Sequence, residues 1–126
     1  MRPLLANSWA VCLALGWLLI AACGRSSAPP PPLSAQELPG ALTSAFAKAS
    51  PEAKTLAEQV VTLVQAQDYA RAFQTVQRLA ALPGLTKDQL TVASRAALTV
   101  SELLQAAQAQ GDATATRTLN RYRLDK

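Results

Sequence analysis

A stripe of apolar side chains between residues 68 and 80 constrains the fold of this chain more than any other feature. The apolar residues recur every three or four positions, at Tyr69, Ala72, Phe73, Val76, Leu79 and Ala80. This spacing places them on one face of an α-helix. Because one helix cannot bury its own apolar face, other elements of the chain have to pack against it.

The segment before the stripe carries the signals of another amphipathic helix. Ser50 is a good capping residue, and Pro51 suits the first helical position, where its missing N–H costs nothing. The apolar face of this helix would carry Leu56, Val60, Leu63 and Val64. We predict a helix from Pro51 to about Gln67 that turns tightly at Asp68 into the helix of the stripe, which makes an αα-hairpin.

A third helix is predicted after the turn at Pro83-Gly84. Thr86 and Gln89 have the spacing of a capping box, in which two N–H groups at a helix start are satisfied reciprocally. No breaking residue follows before Gly111, so one long helix to Gln110 is expected. Together these segments predict an all-α fold, a small helical hairpin or bundle of three to four helices.

The residues before Ser50 give a conflicting pattern. Ser34 and Glu37 also have capping-box spacing, but Pro39-Gly40 follows at once and predicts that a helix there stops after a single turn. A short helix is then predicted from Ala41 to Ala49. The apolar face of this region would carry Leu38, Leu42 and Phe46, which recur every four residues.

The first 22 residues have the order of a secretion signal. Arg2 supplies a positive charge, an almost wholly apolar run extends to Ile20, and two alanines follow it. Asn7 and Ser8 interrupt the run and leave an apolar core shorter than the roughly 20 residues that span a bilayer. A cleaved signal peptide is therefore predicted, with an uncleaved signal helix as the alternative.

The end of the apolar run, Ile20-Ala21-Ala22-Cys23, resembles the lipobox of bacterial lipoproteins. The resemblance implies that Cys23 carries acyl chains and becomes the first residue of the mature protein. Two or three long chains anchor a protein to a membrane almost permanently, since each buried methylene contributes roughly 0.8 kcal/mol. In Gram-negative lipoproteins an aspartate after the cysteine favours the inner membrane, so Gly24 implies the outer membrane.

A proline-rich segment follows the cysteine. The run Pro29–Pro32 predicts extended polyproline geometry of about 3.1 Å per residue, so residues 24–33 are expected to form a stiff spacer. The chain therefore divides into a signal peptide (1–22), a lipid-anchored proline-rich linker with a short helix (23–49), a helical domain (50–111) and a basic C-terminal tail (112–126).

The turn of the hairpin, Gln67-Asp68-Tyr69-Ala70-Arg71-Ala72, is similar to that of a tetratricopeptide repeat. That family commonly has Gly-Asp-Tyr before a helix with a small residue three places after the tyrosine, a position that Ala72 occupies here. Leu56 and Val76 stand at large positions of the repeat, whereas Val60 replaces the expected glycine or alanine. The alternative is an ordinary hairpin in a small bundle, since a repeat array needs about three units.

The long third helix carries a seam of apolar residues at alternating spacings of three and four. Its members are Leu90, Ala93, Ala97, Val100, Leu104 and Ala107. Such a seam packs closely against another helix, either within the core or on a partner. As a partner-binding surface it would present Leu90, Ala97, Val100 and Leu104.

The last fifteen residues or so differ from the rest in composition. Threonines lower the helix propensity, and four cations make this part the most basic in the chain: Arg117, Arg121, Arg123 and Lys126. Leu119 and Tyr122 are able to dock one final helical turn. We expect a solvated tail, with contact to anionic lipid or to cell-wall carboxylates as the alternative.

Catalytic chemistry has little support in this sequence. The chain has no histidine, its eight acidic residues are scattered, and Cys12 and Cys23 would leave no free thiol after processing. The common bases, nucleophiles and metal ligands are therefore missing, and no cofactor motif occurs. Nucleic-acid binding is not expected either, because no aromatic platform accompanies the basic residues.

These observations predict a non-enzymatic lipoprotein of the cell envelope that faces the periplasm. It would act as a protein-binding or scaffold module, with a pilotin-like escort of a secretion or pilus subunit as one specific form. A protein partner or self-association would offset the marginal stability of so small a domain. The alternative is a structural lipoprotein that self-associates through its long helix and touches the cell wall through its basic tail.

Overall fold

The computed structural model describes residues 29–126, which fold into five α-helices without any strand in that range. The helices are α1 (Leu38–Phe46), α2 (Pro51–Gln65), α3 (Tyr69–Ala80), α4 (Lys87–Ala109) and α5 (Ala113–Leu124). The predicted all-α class is confirmed, although the described part contains five helices where three to four were expected. None of these helices has both the length and the hydropathy to cross a membrane. The predicted signal peptide and Cys23 lie outside the described residues.

The starts of α2, α3 and α4 follow the predicted capping residues. The Ser50 hydroxyl accepts a hydrogen bond from the Ala53 N–H (3.3 Å), and the Asp68 carboxylate accepts one from the Arg71 N–H (3.2 Å). The capping box of α4 is complete, with reciprocal bonds between Thr86 and Gln89 (3.1 and 3.0 Å). Side-chain caps therefore fix three helix starts from local sequence alone.

Helix α1 begins three residues earlier than the predicted short helix and ends earlier as well. Ser34 and Glu37 form the predicted reciprocal bonds (3.0 and 3.1 Å), and the Leu38 N–H donates to the Ser34 carbonyl (3.1 Å). Pro39 lies within the first helical turn, where its missing N–H has no partner to lose. The prediction that Pro39-Gly40 breaks the helix was therefore wrong.

The first four helices close a ring around one core. Each packs against the next along the chain, and α1 also packs against α4. The largest fully buried side chains come from all four: Phe46, Leu38, Leu42, Leu79, Leu104, Val60, Val76 and Val100. Helix α1 is thus an integral part of the bundle, and the helical body extends N-terminally beyond the predicted 50–111 domain.

The end of the proline-rich segment is bound to the bundle. The Arg95 side chain on α4 donates from Nε to the Pro31 carbonyl (2.8 Å), and the Thr99 hydroxyl donates to the Leu33 carbonyl. Leu33 itself is buried in the core. We call residues 31–33 the strap. Because the strap is part of the folded body, the predicted spacer is shorter at its C-terminal end than residues 24–33.

The basic segment 112–126 forms a helix where a solvated tail was expected. The Asp112 carboxylate caps α5 by accepting from the N–H groups of Thr114 (2.8 Å) and Ala115 (3.0 Å). Ala115 and Leu119 are buried in the common core, and α5 packs against both α3 and α4. A strong cap and the burial of this apolar face outweigh the low helix propensity of the threonines.

Candidate functional site

The residues predicted as a partner-binding seam are divided by the fold between core and surface. Val100 and Leu104 have no exposed surface and belong to the core, and Ala97 is partly buried against it. Leu90 is 41% exposed. The seam therefore serves mainly the packing of α4 inside the bundle, and Val100 and Leu104 offer nothing to an external partner in this conformation. Cys23, the predicted lipidation site, lies outside the described residues.

A different surface, the groove between α3 and α5, combines apolar and charged side chains. It encloses about 310 Å³, and most of its lining surface is apolar. Helix α3 contributes Phe73, Gln74, Gln77 and Arg78, and α5 contributes Thr118, Arg121, Tyr122 and Asp125. We call it the α3–α5 groove.

Two aromatic rings form the floor of the α3–α5 groove. Phe73 comes from the apolar stripe of α3 and is almost fully buried, whereas Tyr122 on α5 is partly exposed. Their ring centroids lie 5.2 Å apart at an interplanar angle of 89°, an edge-to-face contact. Such pairs contribute about 0.5–1.5 kcal/mol beyond the area they bury. The contact therefore holds the floor in place before anything binds.

Cations flank this aromatic floor on both sides. Arg78 lies in the last turn of α3, and Arg121 lies in the last turn of α5. The Lys126 ammonium lies 4.8 Å from the centroid of the Tyr122 ring, at cation–π distance. Asp125 is the one carboxylate among the lining residues. The rim therefore carries an excess of positive charge.

The two arginines of the rim also interact with the dipoles of their own helices. Each lies at a helix C-terminus, where a cation interacts favourably with the negative end of the helix dipole. Both are exposed, and neither forms a salt bridge among residues 29–126, where Arg71 and Asp68 make the one pair within reach (2.6 Å). The guanidinium groups of Arg78 and Arg121 are therefore free to interact with a ligand.

A larger cleft between α2 and α3 encloses about 630 Å³. Its lining is half polar and contains Glu58 together with Arg71 and Arg78. Water solvates such a polar lining well, so little free energy is available from covering it. The α3–α5 groove is the better candidate for binding because its apolar floor is only partly covered.

The carboxyl groups with shifted pKa values belong to helix caps. Hydrogen bonds from the backbone and side chain of Ser34 hold the pKa of Glu37 below its ordinary value. The Arg71 side chain, followed by its backbone N–H, lowers the pKa of Asp68 in the same direction. Within residues 29–126, no group of three or more Cys, Asp or Glu side chains is arranged to hold a metal ion.

Sequence reasoning singled out Tyr122, Phe73 and Arg121 but did not bring them together. The stripe of α3 predicts a core face, and the composition of segment 112–126 predicts a solvated tail. The spacing of Ala115, Leu119 and Tyr122 is that of one helical face, and with the Asp112 cap it was the available signal for a docked helix. What local sequence lacks is the information that this face packs beside Phe73.

No protein-family model, no curated protein and no solved structure matches this chain. The sequence signals and the geometry of the α3–α5 groove therefore carry the functional argument.

Proposed function

We propose that this protein is a lipid-anchored, non-enzymatic protein-binding module of the bacterial cell envelope. The observation that carries the proposal is the α3–α5 groove, an apolar surface with an aromatic floor and a basic rim on a small helical body. The lipobox-like sequence ending at Cys23 supports attachment to a membrane. A pilotin-like escort of another envelope protein is the specific form that we favour.

The chemistry of the groove suits a protein ligand. Tyrosine, phenylalanine and arginine are the residues enriched where proteins bind one another, and clusters of them provide most of the binding energy. Phe73, Tyr122, Arg78 and Arg121 supply this combination within one groove. The chain has no histidine, and the lining contains a single carboxylate, which leaves few groups for acid–base chemistry.

The hairpin of α2 and α3 is consistent with a repeat-like interaction module. Ala72, at the small position of the tetratricopeptide-like turn, is fully buried. Gln67, at the position of the family's glycine, has a left-handed backbone with φ +59°. We propose that this hairpin is tetratricopeptide-like and that it provides the scaffold on which α5 completes the groove.

The alternative, a structural lipoprotein that self-associates through α4, has less support. Self-association through the predicted seam needs Val100 and Leu104, whose side chains have no exposed surface. The exposed Arg117, Arg121 and Arg123 remain compatible with contact to anionic cell-wall material. Crosslinking in intact cells separates the two proposals: one distinct foreign protein supports the module, whereas self-crosslinks together with wall material support the structural role.

The anchor is tested by replacing Cys23 with serine in the full chain expressed in a Gram-negative bacterium. We expect Cys23→Ser to lose the acyl chains and to leave the outer-membrane fraction, with unchanged far-UV circular dichroism. Cys12→Ala is the matched control, because Cys12 is expected to serve only as a small apolar residue of the signal core. Unaltered fractionation of Cys23→Ser, or an intact mass that retains Met1, would contradict the proposed anchor.

A further inference from the structure

We propose that the α3–α5 groove binds an acidic segment of a partner protein, with an apolar side chain on the floor and carboxylates at the arginine rim. This inference rests on the proposed protein-binding function and names the chemistry of the partner. Neither the sequence pattern nor the position of the groove in the fold specifies the chemistry of this partner. The shape, the floor and the charge of the groove together select this kind of segment.

The floor selects an apolar anchor. Phe73 is covered from one side by Tyr122, and the partly exposed ring of Tyr122 leaves apolar surface in contact with water. A volume of about 310 Å³ lies at the small end of ligand pockets, so it holds one or two side chains and not a whole folded element. A leucine or phenylalanine side chain of a partner would exclude water from this floor.

The rim selects carboxylates. Arg78 lines the groove from α3 and Arg121 lines it from α5, so a bound segment has an arginine on each helix within reach. Arg117 lies one turn before Arg121 on the same helix and is also exposed. Guanidinium groups bind carboxylates through paired, charge-assisted hydrogen bonds. The lining contains two arginines and one carboxylate, Asp125, so the groove as a whole is complementary to negative charge.

A peptide suits this surface better than an anionic membrane does. The arginines flank a concave apolar floor, whereas a bilayer presents a broad surface of head groups to exposed convex residues. A basic surface that binds membranes also gains about 1 kcal/mol per cation near the head groups, which favours clusters larger than this rim. Binding of an anionic lipid in place of an acidic peptide would therefore contradict the inference.

The test uses the full chain in neutral phosphatidylcholine nanodiscs and an array of short synthetic peptides. Each peptide combines leucine or phenylalanine with glutamate, with lysine or with serine. We expect binding to the glutamate peptides, weaker binding when serine replaces the apolar residue, and no binding to the lysine peptides. Arg121→Glu should weaken binding about tenfold or more, because it places like charges opposite each other.

Arg123→Glu is the matched control. Arg123 lies in the same last turn of α5, is exposed and does not line the groove. Arg123→Glu therefore changes the net charge and the interaction with the α5 dipole as much as Arg121→Glu does. Arg78→Glu should reproduce the effect of Arg121→Glu from the opposite side. Equal far-UV circular dichroism of the variants would show that the helices persist.

Three outcomes would overturn this inference. The first is equal binding of the glutamate and lysine peptides. The second is a loss of peptide affinity in Arg123→Glu equal to that in Arg121→Glu, and the third is that no peptide of the array binds. Binding of short-chain phosphatidylglycerol that Arg121→Glu abolishes, without peptide binding, would assign the groove to a lipid instead. The protein-binding function is tested separately, because a foreign protein crosslinked to the anchored chain in cells would support that function even if no acidic peptide bound the groove.

Discussion

Thr99 on α4 is the residue whose replacement tests how the strap is held. Its hydroxyl is buried, donates to the Leu33 carbonyl and lies 3.1 Å from the Arg95 carbonyl one turn earlier. The Thr99 hydroxyl has one proton, and within residues 29–126 no other group donates a hydrogen bond to the Leu33 carbonyl. Thr99→Val keeps the shape of the side chain and removes this donor.

The expected cost follows from the buried acceptor. A buried carbonyl left without a partner costs about 1–3 kcal/mol, and the additional methyl group recovers part of that. We therefore expect Thr99→Val to lower the free energy of unfolding by about 1–2 kcal/mol. For a domain of this size each kcal/mol corresponds to about 4–8 °C in Tm. The loss should be measurable by thermal unfolding followed by far-UV circular dichroism.

Thr75→Val is the matched control for the strap. Thr75 is also buried, but its hydroxyl donates only to the Arg71 carbonyl in its own helix (2.8 Å). That carbonyl is positioned to accept the N–H of residue 75 in the helix ladder, so removing the hydroxyl should cost less than about 0.5 kcal/mol. Equal losses of Tm in Thr99→Val and Thr75→Val would refute the idea that Thr99 fastens the strap.

Three further perturbations test other parts of the fold. Phe46→Ala should cost about 3–5 kcal/mol in urea unfolding, because this α1 side chain is fully buried; a cost below 1 kcal/mol would remove α1 from the core. Gln67→Gly should raise stability by about 0.5–1 kcal/mol, since glycine adopts φ +59° without strain; a lower Tm would contradict this. The pKa of Asp68 is lowered in the folded protein, so its ionised carboxylate stabilises the fold. This contribution is fully present at pH values above the ordinary aspartate pKa of about 3.9 and is lost as the pH falls through the folded-state pKa. Asp68→Asn should therefore unfold with a flatter pH dependence below about pH 4, and an unchanged dependence would argue against the cap.

Local sequence was sufficient where a side chain bonds to its own helix. Ser50, Asp68 and Thr86 cap α2, α3 and α4 as predicted, and Gly111, with φ +89°, follows the end of α4. The capping bonds join residues three positions apart, so they depend little on the rest of the chain. The apolar stripe of α3 likewise predicted a buried face, although not its neighbours.

The two ends of the helical body required tertiary information. Pro39-Gly40 and the threonines of α5 are poor helix formers, and propensity alone placed a break at the first and a solvated tail at the second. In the folded chain the burial of Leu38, Leu42 and Phe46 outweighs the cost of Gly40. Burial of the apolar face of α5 has the same effect at the other end, because packing contributes more than propensity in short helices.

The sequence by itself determined the all-α class of residues 29–126 and the starts of three of their helices. Only the tertiary structure decided that α1, the strap and α5 join one body, that Val100 and Leu104 are core residues, and that Phe73 and Tyr122 meet in a groove. The physical reason is range. Capping bonds and helical periodicity link residues within two turns, whereas the groove and the strap join residues more than forty positions apart, which only packing brings together.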